Sequence, residues 1–192
     1  MIAIVKYNAG NITSVKNAVE RLGYSCIVTD DETILKEAQK VIFPGVGEAS
    51  SAMKYLKEKG LDAVIKNLTQ PVLGICLGQQ LMCQFSEEGN TECLGIFEAK
   101  VKKFEPKLKV PHVGWNNILQ LNSELYSGIS DDENFYFVHS YYAEISSETT
   151  AVCDYIVPFS ASMQKDNFYA TQFHPEKSSS EGEQLLVNFL KL

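Results

Sequence analysis

The chain has 192 residues, 45% of them hydrophobic and 21% charged, with a formal net charge of −7. That length and balance suit one globular domain large enough to bury a sizeable core. The acidic excess argues against a protein that wraps nucleic acid or an anionic membrane surface, and no apolar run approaches the roughly 20 residues that cross a bilayer. The most basic stretch, Lys100-Val101-Lys102-Lys103, reads as a solvated strand face. The first residues, Met1 to Lys6, carry neither the basic leader nor the cleavage site of a signal peptide. Five cysteines (Cys26, Cys76, Cys83, Cys93 and Cys153) form an odd set without a C-x-x-C pair. That usage points to the reducing cytoplasm and away from a disulfide framework or a metal site.

In chain order, Ile2 to Lys6 is the first expected strand. Asn8-Ala9-Gly10-Asn11 reads as a turn, with Asn11 or Thr13 available to cap a helix whose apolar face is Val15, Ala18, Val19 and Leu22 and which Gly23 ends. Ser25 to Thr29 is a second strand, and Asp30-Asp31 opens a short helix carrying Ile34, Leu35 and Ala38. Val41-Ile42-Phe43 is a third strand, followed by Pro44-Gly45-Val46-Gly47 and a helix from about Glu48 to Glu58. Leu61, Val64, Ile65 and Leu68 mark a further helical turn or two. Val72 to Ile75 is a fourth, fully apolar strand. Strands apolar on both sides, alternating with helices, predict an α/β architecture with a mainly parallel sheet covered by helices.

The second half changes character. Gly95 to Phe104, Phe135 to Val138, Ala151 to Val157 and Phe168 to Phe173 read as strands, two or more of them antiparallel, and a last helix runs from about Ser180 to Leu192. No repeat or linker divides the chain, so one domain over residues 1–192 is expected.

The chemistry concentrates at Gly74-Ile75-Cys76-Leu77-Gly78. Strand spacing ends at Cys76, and Leu77, Leu81 and Met82 take up helical spacing. A glycine two residues to either side of a Cys at such a switch is the G-x-nucleophile-x-G elbow pattern. It predicts a strained turn that presents the sulfur to solvent beside a helix N-terminus, where unpaired N–H groups favour thiolate. Such a nucleophile needs a base and an orienter. In Gln172-Phe173-His174-Pro175-Glu176, Pro175 biases His174 to extended geometry, so that His174 and Glu176 project to one side. Glu176 then holds one ring nitrogen while the other faces Cys76. Acyl chemistry also needs oxyanion donors, which the Leu77 N–H and the Pro44-Gly45-Val46-Gly47 backbone can supply. His112 and His139 read as buried core or interface histidines.

Together, Gly74 to Gln80 and Phe173-His174-Pro175-Glu176 resemble the class I (triad) glutamine amidotransferases. Pro44 to Gly47, Pro111-His112-Val113-Gly114-Trp115-Asn116, His139-Ser140-Tyr141 and Gln172 to Ser178, with Gly10-Asn11 and Ser86 to Gly89, resemble the glutaminase subunits of imidazole glycerol phosphate synthase. The resemblance spans essentially the whole chain. It implies a single-domain, flavodoxin-like fold with an added antiparallel portion, and a glutaminase without cofactor or metal. It implies Cys76 as nucleophile, His174 as base and acid, Glu176 as orienter, and Val46 and Leu77 N–H groups as the oxyanion hole after a flip of the Gly45-Val46 peptide. Gly47, Gln80, Glu88, Ser140 and Tyr141 match glutamine-binding positions. Asn11, Trp115, Tyr136 and Lys177 match positions facing a (β/α)8-barrel cyclase, the heterodimer partner that receives ammonia for histidine and purine-intermediate biosynthesis. Two departures stand out: Tyr7-Asn8-Ala9 before Gly10-Asn11, and Glu48 just after the Gly-rich loop. Three other readings stay open: a related subunit supplying ammonia for surface-sugar amidation, a catalytically silent binding module, and a stand-alone cysteine hydrolase.

Overall fold

The computed structural model describes residues 1–192. A seven-stranded sheet organises it. Its strands are β1 (Ile2–Val5), β2 (Cys26–Thr29), β3 (Lys40–Gly45), β4 (Val72–Cys76), β11 (Thr149–Tyr155), β12 (Val157–Lys165) and β13 (Phe168–Thr171). They lie in the order β11-β12-β13-β4-β3-β1-β2. The pairs from β2 through β13 are parallel, and β12 runs antiparallel to both β11 and β13. The expected α/β sheet with an antiparallel portion in the second half is present. Fold neighbours described below share it.

Two cores explain why the parallel strands are apolar at every position. Ala3, Val5, Val41, Phe43 and Val72 face one side, against α2 (Glu32–Glu37), α3 (Ala49–Glu58), α4 (Leu61–Lys66) and α5 (Leu77–Met82). Ile2, Ile4, Ile42, Leu73 and Ile75 face the other, against α1 (Ile12–Arg21), α6 (Ser179–Lys191) and the aromatic rings of Phe135 and Phe137. Period-two alternation sends neighbouring residues to opposite faces, so each strand contributes to both cores.

Two smaller sheets flank the first. β10 (Tyr141–Ala143), β7 (Lys100–Lys103), β5 (Phe85–Ser86) and β6 (Thr91–Glu92) form one, and β8 (His112–Asn117) pairs antiparallel with β9 (Asn134–His139) as the other. In β7, Val101 is buried while Lys100 and Lys103 face solvent, as expected of a solvated strand face.

The structure departs from the sequence reading at three places. The stretch Ala151 to Val157 is not one strand: the chain reverses at Ile156, which has positive φ, and β12 follows. The expected strand Gly95 to Phe104 is regular only over Lys100–Lys103. Asn11 occupies the position before α1 with φ 69°, yet its side chain caps nothing there. By contrast Asp31 caps α2 through the Ile34 N–H, and Glu48 caps α3 through the Ser50 and Ser51 N–H groups at 3.0 and 2.8 Å. The acid at position 48 is therefore a helix cap, its carboxyl held low by its hydrogen bonds, that with the Ser50 hydroxyl first among them.

Parallel pairing brings the C-terminal ends of β1, β3, β4 and β13 to one edge. Register places Gly45 opposite Cys76, and Thr171 opposite Ile75. The close packing that allows this is visible at Gly78, where a Cβ would lie 1.9 Å from the Phe43 carbonyl oxygen. Gly78→Ala is expected to destabilise the chain by about 3 kcal/mol or more, because backbone must move. Gly23→Ala, with open space around it but φ 83°, is expected to cost about 1–2 kcal/mol. Urea unfolding of the two variants tests the ordering.

Candidate active site

β4 ends at Cys76 with φ 54° and ψ −106°, and α5 begins at Leu77. A Cβ on Gly74 would meet Met82 Sδ at 2.9 Å and the Gly78 carbonyl carbon at 3.0 Å. The elbow pattern of the sequence is thus a real strained turn, and both glycines are required by contact. The sulfur is not thrust into bulk solvent, however. Cys76 is 6% exposed and packs at the rim of the second core. It borders a cleft of about 290 Å³, also lined by Val46, Gly47, Leu77, Gln80, Glu88, Pro111, Val138, His139, Ser140 and Tyr141. The cleft lies at the small end of the range for ligand sites.

β13 delivers the next group. His174 is fully buried, and its Nδ1 donates to Glu176 Oε1 at 2.8 Å. The other ring nitrogen, Nε2, has no aligned hydrogen bond. Burial opposes charge on this ring, yet the adjacent Cys76 sulfur and the Glu176 carboxylate outweigh it and hold the imidazole above its usual range. The segment is fixed to β9: the His174 N–H donates to the Tyr136 carbonyl at 2.9 Å, and the Tyr136 N–H donates to Ser178 Oγ at 3.0 Å. Asn11 Nδ2 donates to Glu176 Oε1, so the residue that fails to cap α1 instead steadies the carboxylate.

The Gly-rich loop after β3 is held by the Gly10 N–H, which donates to the Val46 carbonyl at 2.9 Å. Gly10 is needed for that approach, since a Cβ there would meet Val46 Cγ2 at 2.8 Å. Leu77 is the first residue of α5, and the opening N–H groups of a helix have no acceptor within it. Glu88 Oε2 accepts from the Ala49 N–H at 2.8 Å. A groove of about 440 Å³ lies elsewhere, between α1 and the start of α6, with Glu176 and Lys177 on its wall. Cys76 does not line it.

The family model described as glutamine amidotransferase class-I matches residues 3–192. The chain belongs to the class-I glutamine amidotransferases. Among relatives of this class-I chain, the imidazole glycerol phosphate synthase subunit HisH of Bacteroides fragilis is 61% identical, with 100% of this chain and 99% of that one covered. The subunit of the same name from Colwellia psychrerythraea is 47% identical over 98% and 92%. The fold is shared with the crystal structure of a glutamine amidotransferase, with a TM-score of 0.75, 18% identity, and coverage of 100% and 98%. It is shared too with PurLQS of Thermotoga maritima, with a TM-score of 0.74, 15% identity, and coverage of 99% and 97%.

Within this amidotransferase chain, all five residues matched to glutamine binding line the cleft with Cys76. His174 and Glu176 lie behind the sulfur, out of the cleft wall. Trp115 is 54% exposed on β8 and meets the Tyr136 ring edge-on at 6.1 Å, and Lys177 is exposed beside Glu176. Residues that the sequence reading did not associate with the site are Pro111, Val138 and Gln172. His139, a core or interface histidine by sequence, is both buried and part of the cleft wall.

His139 belongs to a directed chain of hydrogen bonds. Its Nδ1 donates to the Tyr141 carbonyl at 2.8 Å, which leaves Nε2 to accept from His112 Nδ1 at 3.0 Å. His112 Nε2 then accepts from Asn116 Nδ2 at 3.4 Å. Both rings are neutral, because burial lowers His139 to about 3 and His112 to about 4. An unfolded histidine titrates near 6.5. On acidification the unfolded state thus binds protons that the native state refuses, and stability present above about pH 6.5 is lost as pH falls towards 4. His112→Gln is expected to shallow the dependence of unfolding free energy on pH between about 6 and 4.5, by up to about 1.4 kcal/mol per pH unit. Urea melts of both proteins across that range check it.

Proposed function

We propose that the chain is the glutaminase subunit of an imidazole glycerol phosphate synthase, releasing ammonia from L-glutamine through a thioester on Cys76. The observation that carries the reading is the meeting, at one sheet edge, of a strained Cys76 and the buried His174–Glu176 pair beside a cleft sized for one amino acid. High identity along the full chain to subunits of that name supports it.

Cys76 attacks the carboxamide carbon as thiolate, its proton having passed to His174. The developing oxyanion is met by the Leu77 and Val46 N–H groups. Collapse of the tetrahedral intermediate forms the thioester, and His174 returns the proton to the leaving ammonia. Water, deprotonated by the same ring, then releases glutamate. Glu176 keeps the Nδ1 proton in place, so that Nε2 faces the reaction. Gln80 donates both amide hydrogens to protein acceptors, the Tyr141 carbonyl and Gln172 Oε1, each at 2.9 Å. Only its Oε1 is left for substrate, and with Glu88 it suits the α-ammonium end. Gly47, Ser140 and Tyr141 surround the carboxylate end.

The same reading makes the chain one half of a cytoplasmic heterodimer. Its partner, a (β/α)8-barrel cyclase, seats on Asn11, Trp115, Tyr136 and Lys177 and receives the ammonia. Subunits named for imidazole glycerol phosphate synthase at 46–61% identity favour this pathway over sugar amidation. The intact triad chemistry leaves the silent-module reading without support.

Glutamate release by the complex tests the roles. Cys76→Ser is expected to lose at least about 10³-fold in kcat. His174→Ala is expected to lose more than Glu176→Gln, whose amide still accepts one hydrogen bond from the ring. Turnover retained by Cys76→Ser would remove the nucleophile assignment. A second comparison concerns control: the chain alone is expected to be about 10²–10³-fold slower than the complex with acceptor nucleotide, the worth of one oxyanion donor brought into place by the Val46 loop. Equal rates would instead favour a stand-alone hydrolase.

A further inference from the structure

We infer that Gln172 is a further catalytic residue, whose side-chain amide holds the Cys76 sulfur in its charged form; the inference rests on Cys76 being the nucleophile. Gln172 is fully buried, and its Nε2 donates to Cys76 Sγ at 3.6 Å. The neighbouring sulfur contact, to the Val138 carbonyl oxygen at 3.9 Å, is one that a thiol can use as donor and that a thiolate finds repulsive. The Gln172 amide is thus a neutral side-chain donor placed on the sulfur from within the fold, beside the His174 ring.

Its orientation is not arbitrary. The Tyr141 carbonyl can only accept, and it accepts from Gln80 Nε2 at 2.9 Å. That fixes which end of the Gln80 amide is nitrogen. The same nitrogen then donates to Gln172 Oε1 at 2.9 Å, which fixes Gln172 in turn and leaves its NH₂ group towards Cys76. Reversing Gln172 would set NH₂ against NH₂ on one side and a carbonyl oxygen against sulfur on the other. The Gln172 backbone is tied as well, its N–H donating to the Ala161 carbonyl at 2.8 Å. A donor locked by two successive amides need not reorganise when charge forms, which is the condition for electrostatic preorganisation. Hydrogen bonds to an ionised acceptor are about twice as strong as neutral ones, so this donor acts on the thiolate far more than on the thiol.

The test is the pH dependence of iodoacetamide alkylation of Cys76 in the full chain, followed by mass spectrometry at each cysteine. Variants are Gln172→Met, similar in length without a donor, and Gln172→Asn, an amide too short to reach. Cys83 and Cys153 are buried, and their continued protection reports an intact fold, so each variant that retains it is read. The expected result is a Cys76 midpoint raised by about one pH unit or more, with alkylation about tenfold slower below the wild-type midpoint. A midpoint unchanged in variants that keep Cys83 and Cys153 protected would overturn the inference and leave the nucleophile reading standing, even if kcat fell. Wild-type Cys76 alkylating no faster near neutral pH than the partly exposed Cys26 and Cys93 would remove the nucleophile reading, and this inference with it.

Discussion

The backbone at Cys76 is the constraint on which the site depends. A cysteine at φ 54° and ψ −106° sits outside the ordinary basins, at a cost of order 1–3 kcal/mol that only surrounding structure can sustain. Here the surrounding structure is explicit. β4 is clamped between β3 and β13, and α5 is pressed onto β3 so closely that Gly78 touches the Phe43 carbonyl. Tyr7 and Phe43 pack at 5.2 Å beneath the loop that follows. The Tyr7 hydroxyl crowds Gly45 so tightly that a Cβ at Gly45 would lie 2.0 Å from it. Release the helix from the strand and the turn relaxes, and the sulfur is no longer held beside the His174 ring.

Around that turn the polar groups are wired rather than merely buried. The Tyr141 carbonyl accepts from His139 Nδ1 and from Gln80 Nε2. From this one acceptor the donor and acceptor ends of His139, His112, Gln80 and Gln172 all follow. Buried amides and imidazoles cost free energy unless paired, and here each pairing also dictates the next. Four buried atoms are exceptions: the Tyr7 hydroxyl, Gln79 Oε1 and two that belong to the His174–Glu176 pair. His174 Nε2 and Glu176 Oε2 are buried without protein partners. The first belongs to the ring that Glu176 holds through Nδ1, so the imidazole keeps one nitrogen uncommitted.

The legibility of the chain divides along physical lines. Strands β1, β3 and β4 were readable because both faces are apolar, and the Cys76 turn because only glycine tolerates its contacts. β12 was not. Its inward positions include Ser160 and Ser162, which look like loop residues until their hydroxyls are seen paired: Ser160 with the Glu144 carbonyl at 2.7 Å and Ser162 with Tyr126 at 2.6 Å. β8 was hidden by Gly114 and by polar Asn116 and Asn117. The pairs Asn11 with Glu176 and Gln172 with Cys76 lie 165 and 96 residues apart, and no local pattern encodes such meetings. Asn11 misled for a definite reason. Its type and position suit a helix cap, but φ 69° turns the side chain away from the α1 N–H groups, and the carboxylate competes for its amide.

One consequence joins the exposed face to the chemistry. β8 and β9 carry Trp115 and Tyr136 in register at their middle, and His112 and His139 in register at their end. The Tyr136 backbone holds both the His174 N–H and Ser178 Oγ, while the His139 ring holds the Tyr141 carbonyl in the cleft wall. The exposed Trp115 is thus joined to the cleft wall through a single pair of strands. The two-stranded ribbon thus touches both the segment that carries His174 and the carbonyl that orients Gln80. Packed, hydrogen-bonded elements of this kind move as units rather than flexing continuously. The ribbon is tied to the main sheet by Asn116 Nδ2, which donates to the Asp154 carbonyl at 3.2 Å, and just beyond β8 by the isolated bridge of Leu119 to Val152. Aromatic rings seat it on the body of the chain. His112 stacks on Tyr155 of β11 at 4.0 Å, and Phe135 packs on Phe173 at 4.2 Å, next to His174 in sequence. Such contacts resist separation more than sliding, because dispersion is short-ranged and non-directional, whereas the hydrogen bonds at either end of the ribbon fix only discrete positions.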